Sequence, residues 1–166
     1  MYYSKFKSQV SQGEKAEQLF KELARKNGYR CRKSTASQNK KKHIDFIITD
    51  KKTGNVFKVD VKARKRYGMI VEFRNNYGYQ GWIHGEADVI AEVMPDNTIH
   101  FYDRTKLLDM THSKINWEEI HQSNSTIDHD PYMLFTRHDA HGWHDLWSVV
   151  DDKDLKNIED GVWSND

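Results

Sequence analysis

The chain of 166 residues holds one cysteine and two prolines. It has no apolar run near the roughly 20 residues that a membrane span requires, so no membrane partner is expected. A lone thiol, Cys31, closes no internal disulfide and lacks the companions of a thiolate zinc site. A reducing cytoplasm is therefore the expected compartment. The opening residues Met1-Tyr2-Tyr3-Ser4-Lys5-Phe6-Lys7 lack the apolar stretch of a signal peptide. Repeats, low-complexity tracts and linker-like segments are missing too, so a single domain over residues 1–166 is expected. With 37% apolar and 31% charged residues, the composition is that of a folded, soluble protein rather than a disordered one.

What the chain does have is charge, unevenly spread. Residues 1–66 carry 19 Lys/Arg against 6 Asp/Glu, whereas residues 67–166 carry 7 against 19. A basic first part suits a polyanionic partner such as nucleic acid, and an acidic remainder keeps the protein dispersed.

The hydrophobic pattern reads as α+β. Ala16, Leu19, Phe20, Leu23 and Ala24 recur at helical spacing and predict a helix over residues 12–27. Ser11 is its expected N-cap, with Glu14 as capping-box partner, and Gly28 its expected stop. Residues 29–32 read as extended and residues 34–42 as a polar loop. Strands follow at residues 43–48 and 56–62, joined by the turn cluster of residues 50–55. Further strands are expected at residues 69–73, 87–93 and 98–102, the last two forming a hairpin. Short helices are expected at residues 105–110 and 117–123, strands at 133–137 and 146–150, and a closing helical turn at 151–158. The whole predicts an N-terminal helix followed by an antiparallel meander.

Chemistry concentrates at Asp45 and at Asp60-Val61-Lys62. A hairpin centred between residues 52 and 53 sets Asp45 opposite Asp60 on one face. Period-two geometry adds Lys62 to that face. Two carboxylates roughly 5 Å apart repel unless a cation lies between them, which invites a hard divalent ion such as Mg²⁺. A nearby ammonium stabilises charge building on a phosphate. Carboxylates, metal and lysine together suit phosphodiester hydrolysis. Stepping about 100° per residue, Glu17 falls at the edge of the helix's buried stripe, from which it can look toward the sheet, while Glu14 faces solvent.

Gly13-x-x-Ala16-Glu17, Gly28-Tyr29, the basic loop, Ile44-Asp45-Phe46 and Val59-Asp60-Val61-Lys62 resemble, in order and spacing, the PD-(D/E)XK nuclease superfamily. The pattern is most similar to archaeal Holliday-junction resolvases and phage-encoded nucleases, and it covers about residues 11–66. The stretch from Gly81 to Asp88 also looks like phage members. The resemblance implies a restriction-endonuclease-like core: a mixed, largely antiparallel sheet flanked by helices, extended by residues 67–166. It implies that Asp45, Asp60 and the Val61 carbonyl are metal ligands, that Lys62 orients or activates the attacking water, and that Glu17 holds metal or water. The implied reaction is Mg²⁺-dependent cleavage of DNA, with Mn²⁺ as substitute, leaving a 5′-phosphate and a 3′-hydroxyl; branched or junction DNA is the sharper version. Two departures stand out. Asp60 replaces the commoner Glu, and no long helix is legible between Lys62 and the strand near Ala87.

Lys40, Lys41 and Lys42, with Arg64, Lys65 and Arg66, flank this constellation in sequence and are candidate phosphate contacts. Gln80 is a candidate substrate contact, and Tyr77, Tyr79 and Trp82 are either base-stacking residues or packing anchors. His138, His141 and His144, with His129 and Asp139, read as a histidine-rich loop rather than a zinc site. No organic cofactor is expected. A homodimer would supply two sites for two strands, although no heptad or apolar stripe marks one. Two other readings stay open: a non-catalytic nucleic-acid-binding module on the same core, and a protein-interaction or inhibitor module contacting through its acidic second half.

Overall fold

A computed structural model describes residues 2–123, 129–137 and 144–166, without the side chains of residues 2–10. The sequence carries no linker, yet the chain groups into two compact units, each assembled from separate stretches.

The first unit comprises Met1–Lys65, Glu86–Asp103 and Glu159–Asp166. It opens with helix α1 (Tyr2–Lys26), followed by β1 (Tyr29–Lys33), α2 (Ala36–Lys42), β2 (Phe46–Asp50) and β3 (Val56–Ala63). After an excursion through the second unit, β5 (Val89–Val93), β6 (Ile99–Asp103) and β10 (Glu159–Trp163) complete one sheet in the order β1-β2-β3-β5-β6-β10. Among these strands β3 and β5 alone pair in parallel. The sheet is therefore mixed and largely antiparallel, as the sequence predicts.

Helix α1 lays Ala16, Phe20, Leu23 and Ala24 onto Phe46, Ile48, Val59, Val61, Ala91, Val93 and Ile99. Phe20 stacks on Trp163 of the last strand, ring centres 5.8 Å apart, and meets Phe46 at 5.3 Å. Truncating so central a ring to alanine costs about 3–5 kcal/mol. Gly28 stops α1 with a φ of +89°, a conformation that favours glycine.

The second unit comprises Arg66–Gly85 and Arg104–Ile158. Its sheet, in the order β4-β9-β8-β7, is built from β4 (Met69–Arg74), β7 (Ile120–Gln122), β8 (Leu134–Thr136) and β9 (Leu146–Val150). Helices α3 (Arg104–Lys114) and α4 (Asp152–Ile158) contact each other and are tied by the Lys114–Asp154 ion pair at 2.8 Å. A short 3-10 turn, Trp82–His84, is the only helical piece among the described residues between Lys62 and Val89.

Several expectations are corrected. Ser11 lies inside α1 rather than capping it, because the helix runs on through residues 2–10, where the apolar stripe is not legible. The supposed loop of residues 34–42 contains α2, nucleated by a Thr35–Gln38 capping box. Residues 117–123 contain strand β7, not a helix, and β10 follows α4 unannounced. The meander does not form: β3 and β4, successive in sequence, belong to different sheets. The histidine segment at residues 138–143 lies outside the described residues, which leaves His138, Asp139 and His141 undescribed. His144 accepts a hydrogen bond from Arg74 Nε at its carbonyl, 2.9 Å away.

Candidate active site

Strands β2 and β3 pair with Phe46 opposite Val59 and Ile47 opposite Lys58. This is the register the hairpin arithmetic predicts; Asp45 lies just before the paired residues, close enough to Asp60 to act on its carboxyl. Val59 and Val61 turn into the core under α1, so alternation sends Asp60 and Lys62 to the other face. The Asp45 backbone N–H donates to the Val59 carbonyl at 2.8 Å, and the Val61 N–H donates to Asp45 Oδ2 at 2.7 Å. Asp45 Oδ1 accepts from the side-chain amide of Asn39 on α2. Asp45 is thus held by one backbone and one side-chain donor.

Asp60 is held less completely. Its Oδ1 accepts from Lys62 Nζ at 2.8 Å, while Oδ2 is buried with no hydrogen-bond partner. Burial raises the Asp60 carboxyl to about 7; the Lys62 ammonium pulls it back, and Asp45, close enough to share a proton, pushes it further up. Ionised, this pair carries two negative charges against one ammonium in a site from which water is nearly excluded. One route to relief is protonation. Another is a small cation reached by the unpartnered oxygen.

Those residues fit a hard divalent ion of a particular kind. Mg²⁺ keeps several of its waters and is bound by one or two carboxylates together with substrate phosphates. Among the described residues no group of three or more His, Cys, Asp or Glu converges on a common point. The Asp45–Asp60 pair by itself therefore offers two carboxylates and no closed cage.

Not every candidate joins the pair. Glu17 pairs with Lys33 of β1, whose ammonium also lies 4.8 Å from the centre of the Phe46 ring. The edge of the α1 stripe meets β1 on the core side of the sheet, so Glu17 stands apart from Asp60, which faces the other way. Arg64 is no surface cation. Its Nε and Nη2 reach the two oxygens of Glu92 at 2.6 and 2.8 Å, with the side chains only 6% and 2% exposed. This fork closes a buried ion pair and leaves little of the guanidinium for a phosphate.

Lys40, Lys41 and Lys42 form the exposed last turn of α2, directly after the Asn39 that holds Asp45. Lys42 also meets Glu86 at 3.1 Å. Lys65 is exposed and, with Lys15 and Asn97, lines a concavity of about 420 Å³ in the first unit. In the second unit, Arg66 lies over the Trp147 ring at 5.6 Å and contacts His129 Nδ1 at 3.0 Å, while Gln80 bridges Arg74. Asn39 is the residue that sequence reasoning missed. The Thr35-x-x-Gln38 box was its available signal, because a helix begun there carries Asn39 over Asp45.

Comparison with known proteins adds little. No protein family and no curated protein matches this chain. Among solved structures, a bacterial homing endonuclease is similar over 60% of this chain and 72% of its own, with 16% identity and a TM-score of 0.43.

Proposed function

We propose that the chain is a metal-dependent DNA nuclease, an endonuclease acting on the phosphodiester backbone. The observation that carries this reading is the buried Asp45–Asp60 pair, with its unpartnered oxygen and the Lys62 ammonium 2.8 Å from the same carboxylate. A structural ion pair would close on itself; this one holds a lone pair in reserve. Asp45, Asp60 and the Val61 carbonyl would hold Mg²⁺, or Mn²⁺ in its place. The ion, when bound, lowers the pKa of attacking water and neutralises charge on the phosphate. Asn39 and the Val61 N–H fix the Asp45 carboxylate. Lys62 donates toward the reacting phosphate or its water, and stabilises negative charge as it builds. Lys40, Lys41 and Lys42 supply exposed cations for backbone phosphates. The products would be a 5′-phosphate and a 3′-hydroxyl, and branched or junction DNA is the sharper substrate proposal.

The test is incubation with plasmid, linear duplex, single-stranded and four-way junction DNA in Mg²⁺, Mn²⁺ or EDTA. Cleavage with either ion and none with EDTA, giving nicks that ligase reseals, supports the reading. Tight binding without cleavage in either ion would instead make the chain a binding module.

A further inference from the structure

Between Phe73 and Gly85 the chain contains no carboxylate, and within the second unit it forms a small hairpin. Arg74 bridges Gln80. The Asn75 N–H donates to the Tyr79 carbonyl and the Gly81 N–H to the Phe73 carbonyl, both at 2.9 Å. The tip is closed from within: Asn75 Oδ1 accepts the backbone N–H groups of Tyr77 and Tyr79, each at 3.0 Å, and Gly78 takes a φ of +79°. An Asn side chain that captures backbone donors in this way fixes a turn.

The base of the hairpin is fixed as well. A Cβ at Gly81 would lie 2.1 Å from the Glu72 carbonyl oxygen and 2.7 Å from the Phe73 carbonyl carbon, so the return strand approaches β4 too closely for any larger residue. Beyond it, Trp82 and Ile83 are buried and anchor the hairpin. Trp82 is thus a packing residue. Tyr77 and Tyr79 instead stand 68% and 72% exposed.

We infer that this hairpin is a stacking platform for unpaired DNA bases, with Tyr77 and Tyr79 as the stacking rings; the choice of DNA rests on the nuclease reading above. An anchored turn presents flat rings at little entropic cost on binding. The absence of carboxylates from the whole segment, together with Arg74 at its base, suits a polyanion such as DNA. The exposed side chain of Asn76 offers an amide donor and acceptor to base edges. Bases within an intact duplex already stack on one another, so the rings meet an open π-face only where bases are unpaired: in a gap, a flap or a single strand.

The experiment is fluorescence anisotropy with labelled single-stranded, gapped and intact duplex oligonucleotides, in EDTA to prevent cleavage. It compares the wild type with the double variants Tyr77→Ala/Tyr79→Ala and Tyr77→Phe/Tyr79→Phe. Both positions are exposed, so the variants should fold; circular dichroism checks this. The alanine variant should lose about tenfold or more in affinity for gapped and single-stranded DNA, with intact duplex within twofold. The phenylalanine variant should bind like the wild type, because the ring remains. Alanine variants that bind all three DNAs within twofold of wild type overturn the proposal, as does a phenylalanine variant as weak as alanine. If such an alanine variant still cuts plasmid in Mg²⁺, the platform falls and the nuclease reading stands. If the wild type neither binds nor cuts any DNA, both fall.

Discussion

Two clusters of buried charge sit side by side in the first sheet, where Glu92 of β5 is the register partner of Lys62. They are finished to different degrees. Arg64 and Glu92 close a two-toothed fork in which both carboxylate oxygens take a guanidinium N–H. Asp45, Asp60 and Lys62 leave one buried oxygen with no partner, and burial raises the Asp60 carboxyl to about 7. Burying charge costs several kcal/mol per ion unless its partners are complete. The first cluster meets that condition from within the chain, as a structural element should. The second does not, and either a proton or a group from outside would complete it.

The sharpest way to break this contrast is to remove one member of each cluster. Asp60→Asn and Lys62→Ala should reduce Mg²⁺-dependent DNA cleavage at least about a hundredfold, while DNA affinity, read by anisotropy in EDTA, stays within a few-fold of wild type. Equal losses of binding and cleavage would remove the catalytic assignment. Arg64→Ala should instead act on stability, lowering it by about 3–5 kcal/mol in urea unfolding, because it strands Glu92. A loss below about 1 kcal/mol, the size expected of an exposed pair, would mean that the fork is not a structural element.

The contrast also has a pH signature. The raised Asp60 carboxyl lets the folded chain keep a proton that the unfolded chain releases between pH 4 and 7. Metal-free stability should therefore be greatest below about pH 4 on this group's account, fall as pH rises to about 7, and level off above it. Denaturant midpoints measured in EDTA with Asp60→Asn alongside isolate the effect, since the variant should lack that slope.

The smallest expected effect separates exposed from buried cations. Replacing Lys40, Lys41 and Lys42 together by Gln should leave stability nearly unchanged. It should flatten the salt dependence of DNA binding by up to about 0.9 logarithmic units for each phosphate no longer neutralised. An unchanged slope would remove these lysines from the interface.

How much was legible in the sequence follows the physics of each element. The β2–β3 hairpin was readable down to its register, because Val59 and Val61 alternate with Asp60 and Lys62 and the intervening turn fixes the count. The apolar stripe of α1 was equally clear from residue 16 onward. Short elements escaped. Helix α2 buries no residue, so no hydrophobic period announces it, and only its capping box gives it away. Strand β7 has three residues, too few for alternation to show. Strand β10 holds Gly161 between a helix and the chain end, and it is recruited by pairing with β6 and by Trp163 packing on Phe101 at 4.5 Å. At the site, the carboxylate pair and Lys62 were visible because strand geometry is local. The fate of Glu17 and Arg64 was not, because each depends on a partner far along the chain: Lys33 for one, Glu92 for the other.

Whether a divalent ion completes the Asp45–Asp60 pair is read most directly from thermal unfolding of the wild type beside Asp60→Asn at pH 8, in EDTA and in excess Mg²⁺. In EDTA the variant should melt above the wild type, freed of repulsion between the carboxylates. Mg²⁺ should raise the wild type, by about 2.7 kcal/mol at a hundredfold excess over its dissociation constant, and leave the variant where it was. A wild type indifferent to Mg²⁺, or a variant raised equally by it, would contradict the metal-site assignment.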